Sequence, residues 1–391
     1  MKLEISSEYT YAIVGFVGWV AINFPRGLPP AVLPLIESEF GISHTQSALA
    51  MSSYLLPYAA MQVPAGFLCD RFGSRLLMLV SMFGSAVGGL LIGFTSSFGQ
   101  FLAVRILAGT LSSLWYSSST NMMIKHTQVK TQGRILGIVF MGGGVASVLI
   151  YLIVGVASSW SMGWRPFFLV SSIPGFIAAI LTFKTARDVE EESVVVKVER
   201  KTQIVGQLMG RSWVLLLLVN NFLSGLAGWA LTTFVPSYFV QNRGIPVAEE
   251  SALMLTQAVF SVFSSMVAGY VADAFAFKVP VVISTVMMCL VSLLTPITPL
   301  GLPMILLMLL WGLIGGWAFT AFNLFIIRNI PVQVRGTFLG IYNLMQFVAA
   351  TIGPPVFGAA IDSSGFNSFF ILALAFYLAC LASVLLIRKK S

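Results

Sequence analysis

The sequence predicts an all-α integral membrane protein: twelve transmembrane helices in two six-helix bundles related by a parallel pseudo-twofold repeat. Three observations lead there. Of 391 residues, 57% are hydrophobic and 9% charged, and the mean hydropathy is +0.92. Apolar runs of spanning length recur from end to end, and the two halves repeat at a fixed offset. A soluble domain carries about 25% charged residues, so a soluble chain of this size could not cover its surface with so few. Disorder is excluded on the same ground, because disordered chains are poor in apolar residues. A span takes about 20 residues plus a short connection, so the length admits roughly a dozen.

Charged or Pro/Gly-rich breaks mark twelve candidate spans: 10–36, 46–68, 76–95, 99–123, 134–157, 166–184, 213–240, 250–272, 279–297, 302–326, 336–360 and 368–387. Backbone cannot go unsatisfied in lipid, so these must be helices. Their unbroken apolar character excludes barrel strands, which would alternate. Of the 22 Lys and Arg, Arg165 and Arg243 fall in external breaks, and Arg26 and Arg105 lie inside spans. The rest occupy the cytoplasmic breaks if the N-terminus is cytoplasmic, which satisfies the positive-inside rule. Both termini are therefore expected in the cytoplasm, with the chain a multi-pass protein of the cell (inner or plasma) membrane. The net charge of +8 reads as loop charge that sets topology, not as nucleic-acid binding. Glu4 and Glu8, with no small-residue cleavage site, argue against a cleaved signal peptide. Cys69, Cys289 and Cys380 fall in separate apolar segments and read as small buried side chains.

The long polar stretch from Lys184 to Ser212 contains Asp188, Glu190, Glu191, Glu192 and Glu199 and divides the spans six and six. It reads as a linker, giving an N-terminal bundle at 1–184, a cytoplasmic linker at 185–212 and a C-terminal bundle at 213–391. The bundles match at an offset of about 203 residues. Gly66-Phe-Leu-Cys-Asp70 pairs with Gly269-Tyr-Val-Ala-Asp273, Gly109 with Gly312, and Gly137 with Gly340. Gly163-Trp-Arg-Pro-Phe-Phe168 pairs with Gly365-Phe-Asn-Ser-Phe-Phe370. Six spans per unit is an even number, so both units enter the membrane in the same direction, a parallel repeat. Two similar bundles facing each other enclose a site that either side can expose, which points to transport of a small molecule.

The break after span 2 reads Gly66-Phe-Leu-Cys-Asp-Arg-Phe-Gly-Ser-Arg75. So short a turn needs tolerant backbone, which Gly66 and Gly73 would supply. Asp70 can accept hydrogen bonds from a helix N-terminus or an arginine, while Arg71 and Arg75 hold the loop in the cytoplasm. The plainer alternative is an ordinary charged turn. The segment resembles the G-x-L-x-D-R-x-G-x-R/K signature of the major facilitator superfamily (MFS). Arg105-x-x-x-Gly109 resembles that family's fourth-helix motif, and Gly163-Trp-Arg-Pro-Phe its G-W-R-x-x-F run before the sixth helix. The resemblance covers the whole chain. Ser74 departs from it, standing where the signature carries a basic residue. Asp273-Ala-Phe-Ala-Phe-Lys278 keeps the Asp but loses the Arg and Gly. Gly142, Gly143 and Gly144 in span 5 come without the Gly-Pro of drug antiporters. The resemblance implies the MFS fold and a transporter, not an enzyme, working by the rocking of two bundles. It also implies that Asp70 pairs with helix 11 and with an arginine near the start of helix 5, for which Arg134 is the candidate. That contact would close the cytoplasmic side.

No Lys follows a Gly anywhere, so there is no P-loop for ATP. No His-Glu-x-x-His and no paired intramembrane carboxylates occur, and His44 and His126 fall in predicted loops, read as solvated. No cofactor, metal or nucleic-acid partner is expected, and a secondary carrier is left. Arg26 lies near the middle of span 1, where Trp19, Asn23, Arg26 and Pro30 share a face. Burying an arginine there costs roughly 2.5–3.5 kcal/mol on insertion scales. It is suited to a carboxylate or phosphate, or else forms a structural pair with polar groups of another helix. Arg105, about six residues into span 4, shares a face with Gly109, Ser112 and Tyr116. It either contacts substrate or serves structure and gating, and it is near enough to the span end to snorkel. No Asp or Glu reads as central to any span.

Neutral polar groups fill out a candidate site: Tyr54, Tyr58 and Gln62; Asn220 and Asn221; Gln257 and Ser261; Trp317, Thr320 and Asn323; Asn343 and Gln346. Such amides also serve as interhelical glue. The expected function is a secondary active or facilitative transporter of a small organic anion, a carboxylate or a phosphorylated metabolite. Its partners would be the lipid bilayer, that substrate, and a coupling proton or counter-transported anion, with the monomer as working unit. The alternatives are efflux of multidrug or amphipathic compounds, for which Met-rich and Phe-rich walls would serve, and a receptor that does not transport. Asp70→Ala should lower the maximal rate of vesicle uptake more than the apparent substrate affinity; an unchanged rate removes the gating role.

Overall fold

Lipid offers the backbone no partner but itself, and the chain accordingly runs from helix to helix. The computed structural model describes residues 7–128, 131–158, 160, 163–187 and 206–387, and no strand occurs among them. Helix α1 is Ser7–Phe40. A single turn, His44–Ser47, follows behind a capping box in which Ser43 and Gln46 bond each other's backbone N–H. Helix α2 comes in two pieces, Leu49–Ala60 and Gln62–Phe72; α3 is Ser74–Gly93. Helix α4 is Phe98–Ser112 continued by Leu114–His126, α5 is Gln132–Ser158, and α6 is Arg165–Ser171 continued by Ile173–Thr185. Helix α7, Ser212–Ser237, runs into a π-turn at Tyr238–Asn242. Helix α8 is Val247–Ala274, α9 is Lys278–Leu294, and α10 is Leu302–Gly315 continued by Trp317–Asn329. The run Val332–Leu386 breaks at Gly365 (φ 76), giving α11 (332–364) and α12 (366–386). Each expected span thus has its helix. Among the described residues, seven helical runs are long and apolar enough by themselves to cross a membrane, one of them holding most of α11 and all of α12.

By packing, the chain divides into two units: Met1–Glu191 with Phe239–Ala252, and Glu192–Tyr238 with Leu253–Ser391. In the first, α1 packs on α5 and α6, α2 on α4, and α3 on α4 and α6. In the second, α7 and α9 pack on the α11–α12 run, and α9 on α10. Most of the sequence read as a linker lies outside the described residues.

The repeat survives as matching contacts. Gly109 of α4 lies so near α2 that a Cβ there would stand 2.2 Å from the Tyr54 carbonyl oxygen. Gly312 of α10 lies against Gln257 of α8 in the same way, again at 2.2 Å. Ser81 Oγ donates to the Ser112 carbonyl at 3.3 Å, and Ser284 Oγ to the Gly315 carbonyl at 2.9 Å. Even the interruptions of α4 and α10 correspond, at Ser113 and Gly316. All of these pairs share the sequence offset.

Two motifs acquire physical causes. Gly73 caps α3 with φ 83, which favours glycine. Gly66 does not serve the turn, contrary to expectation: it lies within α2, and a Cβ there would meet nothing within 4 Å. At the other end of the unit, Trp164 Nε1 and Arg165 Nη1 both donate to Glu39 Oε2 at 2.8 Å. Arg165 also donates from Nε and Nη2 to the Thr95 carbonyl, at 3.0 and 2.9 Å. The Gly-Trp-Arg-Pro run therefore ties α6 to the end of α1 and to the α3–α4 loop.

Gly109→Ala and Gly312→Ala should each force helices apart and destabilise by about 1–3 kcal/mol, seen as a lower thermal unfolding temperature in detergent. Gly137→Ala and Gly340→Ala, where a Cβ would meet nothing within 4 Å, should leave it unchanged or raised.

Candidate functional site

The candidate site of the first unit begins with prolines. Helix α1 contains Pro25, Pro29, Pro30 and Pro34, and each lacks the N–H that would bond the carbonyl four residues earlier. Pro25 orphans the Ala21 carbonyl, and Ser85 Oγ of α3 donates to it at 3.0 Å. Pro29 orphans the Pro25 carbonyl, and Arg105 Nη1 of α4 donates to it at 2.8 Å. Arg105 Nε donates to the Ala50 carbonyl of α2 at 2.9 Å, and the guanidinium lies 4.7 Å from the Tyr54 ring centroid. Arg105 is 0% exposed. It points inward and joins three helices, so the expected option of snorkelling is not taken. Its Nη2 is buried without a hydrogen-bond partner.

Arg26 shares the tyrosine-ring contact but not the hydrogen bonds or the full burial. It is half-buried, its guanidinium lies 5.9 Å from the Tyr58 ring centroid, and it has no hydrogen bond or ion pair among the described residues. It is near enough to Arg105 for the two charges to repel. Spans 1, 2 and 4 contain no Asp or Glu between Tyr9 and Ile36, His44 and Cys69, or Phe98 and His126. The two cations thus stand without an interior counter-ion, balanced only by backbone dipoles and ring faces. Tyr54 and Tyr58 stack at 6.1 Å, and Trp19 meets Tyr116 edge-on at 6.2 Å. Asn23 turns its Nδ2 back to the Trp19 carbonyl at 2.8 Å. The structure therefore gathers Arg26, Tyr54, Tyr58 and Arg105 tightly, with Tyr116 and Asn23 at the margin.

The second unit contains a partly open cavity of about 290 Å³, lined among others by Asn221, Trp229, Thr232, Trp311, Phe319 and Gln346. Asn221 Nδ2 is engaged by the Tyr342 carbonyl at 2.6 Å, and Asn220 Nδ2 donates to the Cys380 carbonyl and Ser383 Oγ, both at 2.9 Å. These two amides join α7 to α11 and α12. Gln346 brings a buried Oε1 with no hydrogen-bond partner. Gln257, Trp317, Asn323 and Asn343 do not line this cavity. Asn323 bonds its own helix at the Phe319 carbonyl, and Trp317 Nε1 is buried without a partner.

The sequence profile of the Major Facilitator Superfamily matches residues 12–351 and 217–391. The chain belongs to the Major Facilitator Superfamily. A cis,cis-muconate transport protein of Acinetobacter baylyi is 23% identical over 91% of this chain and 88% of its own. A hexuronate transporter of Bacillus subtilis is 25% identical over 95% and 92%, respectively. The multidrug resistance protein MdtG of Yersinia enterocolitica is 28% identical over 86% and 83%. The solved structure of a bacterial homologue of the human lysosomal transporter Spinster shares the fold, with TM-score 0.76 and 16% identity over 98% of this chain and 95% of that one. This MFS member is thus a multi-pass membrane transporter and not an enzyme.

The MFS signature loop is only partly bonded. Asp70 is exposed, with no hydrogen bond or ion pair among the described residues. Arg71 lies 5.3 Å from the Phe72 ring, and Arg75 Nη2 donates to the Phe183 carbonyl at 2.8 Å. The side chains of Arg134 and Asp273 lie outside the described ones. Both histidines are partnered, unlike the solvated loop residues expected: His44 Nε2 bonds Gln241 Oε1 at 2.9 Å, and His126 stacks on Tyr11 at 3.9 Å. Sequence reasoning missed Glu250, which is 0% exposed. The available signal was the pair Glu249-Glu250, since adjacent residues of a helix cannot both face one side.

Arg105→Gln should destabilise this MFS protein by about 1–3 kcal/mol for each carbonyl left unpaired, measured by thermal unfolding. Arg105→Lys, which cannot reach two carbonyls with a planar fork, should recover only part of the loss.

Proposed function

We propose that this transporter moves a small organic anion and that Arg26 holds the anionic group. The observation that carries the reading is the unpaired, half-buried Arg26 guanidinium in a region of two cations and no carboxylate. A guanidinium offers a carboxylate two parallel hydrogen bonds, and a low-dielectric setting strengthens them. The neighbouring Tyr58 ring would hold the guanidinium while leaving its N–H groups free for the ligand. Relatives named for muconate and hexuronate, both carboxylates, support the same class. Arg105 then acts behind the site, keeping α1 bent and adding positive potential. In the second unit, Asn221, Gln346 and the aromatic walls of its cavity are separate candidate contacts, and Gln257, Trp317, Asn323 and Asn343 remain proposed contacts of that unit. The distribution of Lys and Arg supports placing both termini in the cytoplasm.

A second reading is efflux of amphipathic compounds. It is favoured by the multidrug relative and by the apolar walls of the second unit's cavity, Trp229, Trp311, Phe319 and Met288 among them.

Proteoliposome uptake of muconate, glucuronate, glucose 6-phosphate and tetraphenylphosphonium separates the two. Wild type should carry a carboxylate or phosphate. Arg26→Gln should abolish that uptake with the unfolding temperature unchanged, and Arg26→Lys should retain a small part. Full-affinity anion uptake by Arg26→Gln, or transport of the lipophilic cation alone, removes the anion reading.

A further inference from the structure

Glu250 lies in the first turn of α8, within the stretch Phe239–Ala252 that packs with the first unit. Its neighbour Glu249 is exposed, as suits a carboxylate at a helix start. Glu250 is 0% exposed. The turn itself is regular, because the Pro246 carbonyl accepts the backbone N–H of both residues. Of the carboxyl oxygens, Oε2 accepts from Ser251 Oγ at 3.1 Å and Oε1 has no hydrogen-bond partner. From α5, the buried Tyr151 interacts with it, the one titratable group of another helix that does so among the described residues. One turn further along α5, Gly155 admits α8 closely: a Cβ there would stand 3.2 Å from Ser251 Cβ. No Lys, Arg or His side chain among the described residues pairs with Glu250. An ionised carboxylate so enclosed has one hydroxyl in place of its lost water, whereas the neutral acid carries a far smaller cost.

We propose that Glu250 is a proton-binding site coupled to the transport cycle. It holds a proton while Phe239–Ala252 is packed on the first unit. It releases that proton to water when the segment lifts away: the O–H bond breaks, the proton leaves as hydronium, and the carboxylate remains. The step needs no other reactant. It would couple the movement of the anion to a pH gradient, and in that respect rests on the anion reading.

The test uses the full-length protein, with Glu250→Gln and Glu250→Asp beside wild type. In proteoliposomes given glucuronate, a gradient of about one pH unit should raise wild-type accumulation about tenfold at one proton per anion. Glu250→Gln should keep glucuronate exchange at equal pH and lose the response to the gradient; Glu250→Asp should keep a response displaced in pH. Infrared spectra of the purified protein should show a protonated-carboxyl band that titrates in wild type and is missing from Glu250→Gln. Gradient-driven accumulation by Glu250→Gln at the wild-type level, or an unaltered infrared band, overturns the proposal. Should wild type carry no anion, the anion reading falls and the infrared band alone decides Glu250. Should Glu250→Gln not fold, a displaced band in Glu250→Asp supports the site and an unmoved one rejects it.

Discussion

A carbonyl freed by proline inside a bilayer must find a donor, and this constraint organises the first unit. Pro29 leaves the Pro25 carbonyl without its helical partner, and Arg105 supplies the missing N–H at 2.8 Å. An unsatisfied carbonyl in hydrocarbon would cost several kcal/mol, comparable with the cost of bringing the arginine inward. The two costs offset each other only while the contact holds. Once Arg105 is committed to Pro25 and Ala50, α1, α2 and α4 are fixed in register, and Tyr54 is fixed beneath the guanidinium. Arg26, one residue past the spared carbonyl, is left facing a region whose positive charge is already in place. The anion-holding role proposed for Arg26 thus depends on a backbone repair.

The spans were legible in the sequence because an apolar run of spanning length has one solution in lipid. What was not legible is where helices pause. The interruptions at Met61, Ser113, Ser172 and Gly316 leave the apolar pattern unchanged; Pro64, Pro174 and the pair Gly315-Gly316 stand beside three of them, but such residues also occur inside unbroken helices here, as Pro29 and Gly142-Gly143 do. Gly73 was read correctly because a positive φ is a local requirement. Gly66 was misread because the same residue type can sit in an ordinary helical turn with open space beside it. For Arg105, position alone allowed both snorkelling and burial. The deciding fact was half local, the orphaned carbonyl written by Pro29, and half tertiary, the approach of α4 to α1. Asn221 shows the reverse case. Its amide suggested substrate, and the Tyr342 carbonyl shows it also joining helices, a role that composition cannot separate from binding.

The repeat supplies the scaffold, and its departures supply the chemistry. Gly109 against Tyr54 and Gly312 against Gln257 are the same close helix contact made twice, as are Ser81 to Ser112 and Ser284 to Gly315. These contacts need small residues and backbone carbonyls, and any substrate would be served by them. At the position equivalent to Arg26 the second unit has Trp229, and at that of Arg105 it has Met308. The charge is therefore confined to one unit. The other lines its cavity with rings, hydroxyls and amides.

The buried carboxyls divide along a similar line between structure and function. Glu37 is 6% exposed, yet Ser47 Oγ donates to its Oε1 and Gln241 Nε2 to its Oε2 at 2.6 Å, while His44 steadies Gln241 from the other side. Both oxygens of this carboxyl are thus engaged by donors. Glu250 has one hydroxyl donor and one bare oxygen in equally dry surroundings. A network that is satisfied holds a structure in place, whereas a group left half satisfied is stable in one protonation state and not in the other. A protein that merely needed to fill the space beside Tyr151 would do better with leucine or glutamine. A carboxyl there is accounted for by the change of charge it can undergo when its surroundings open.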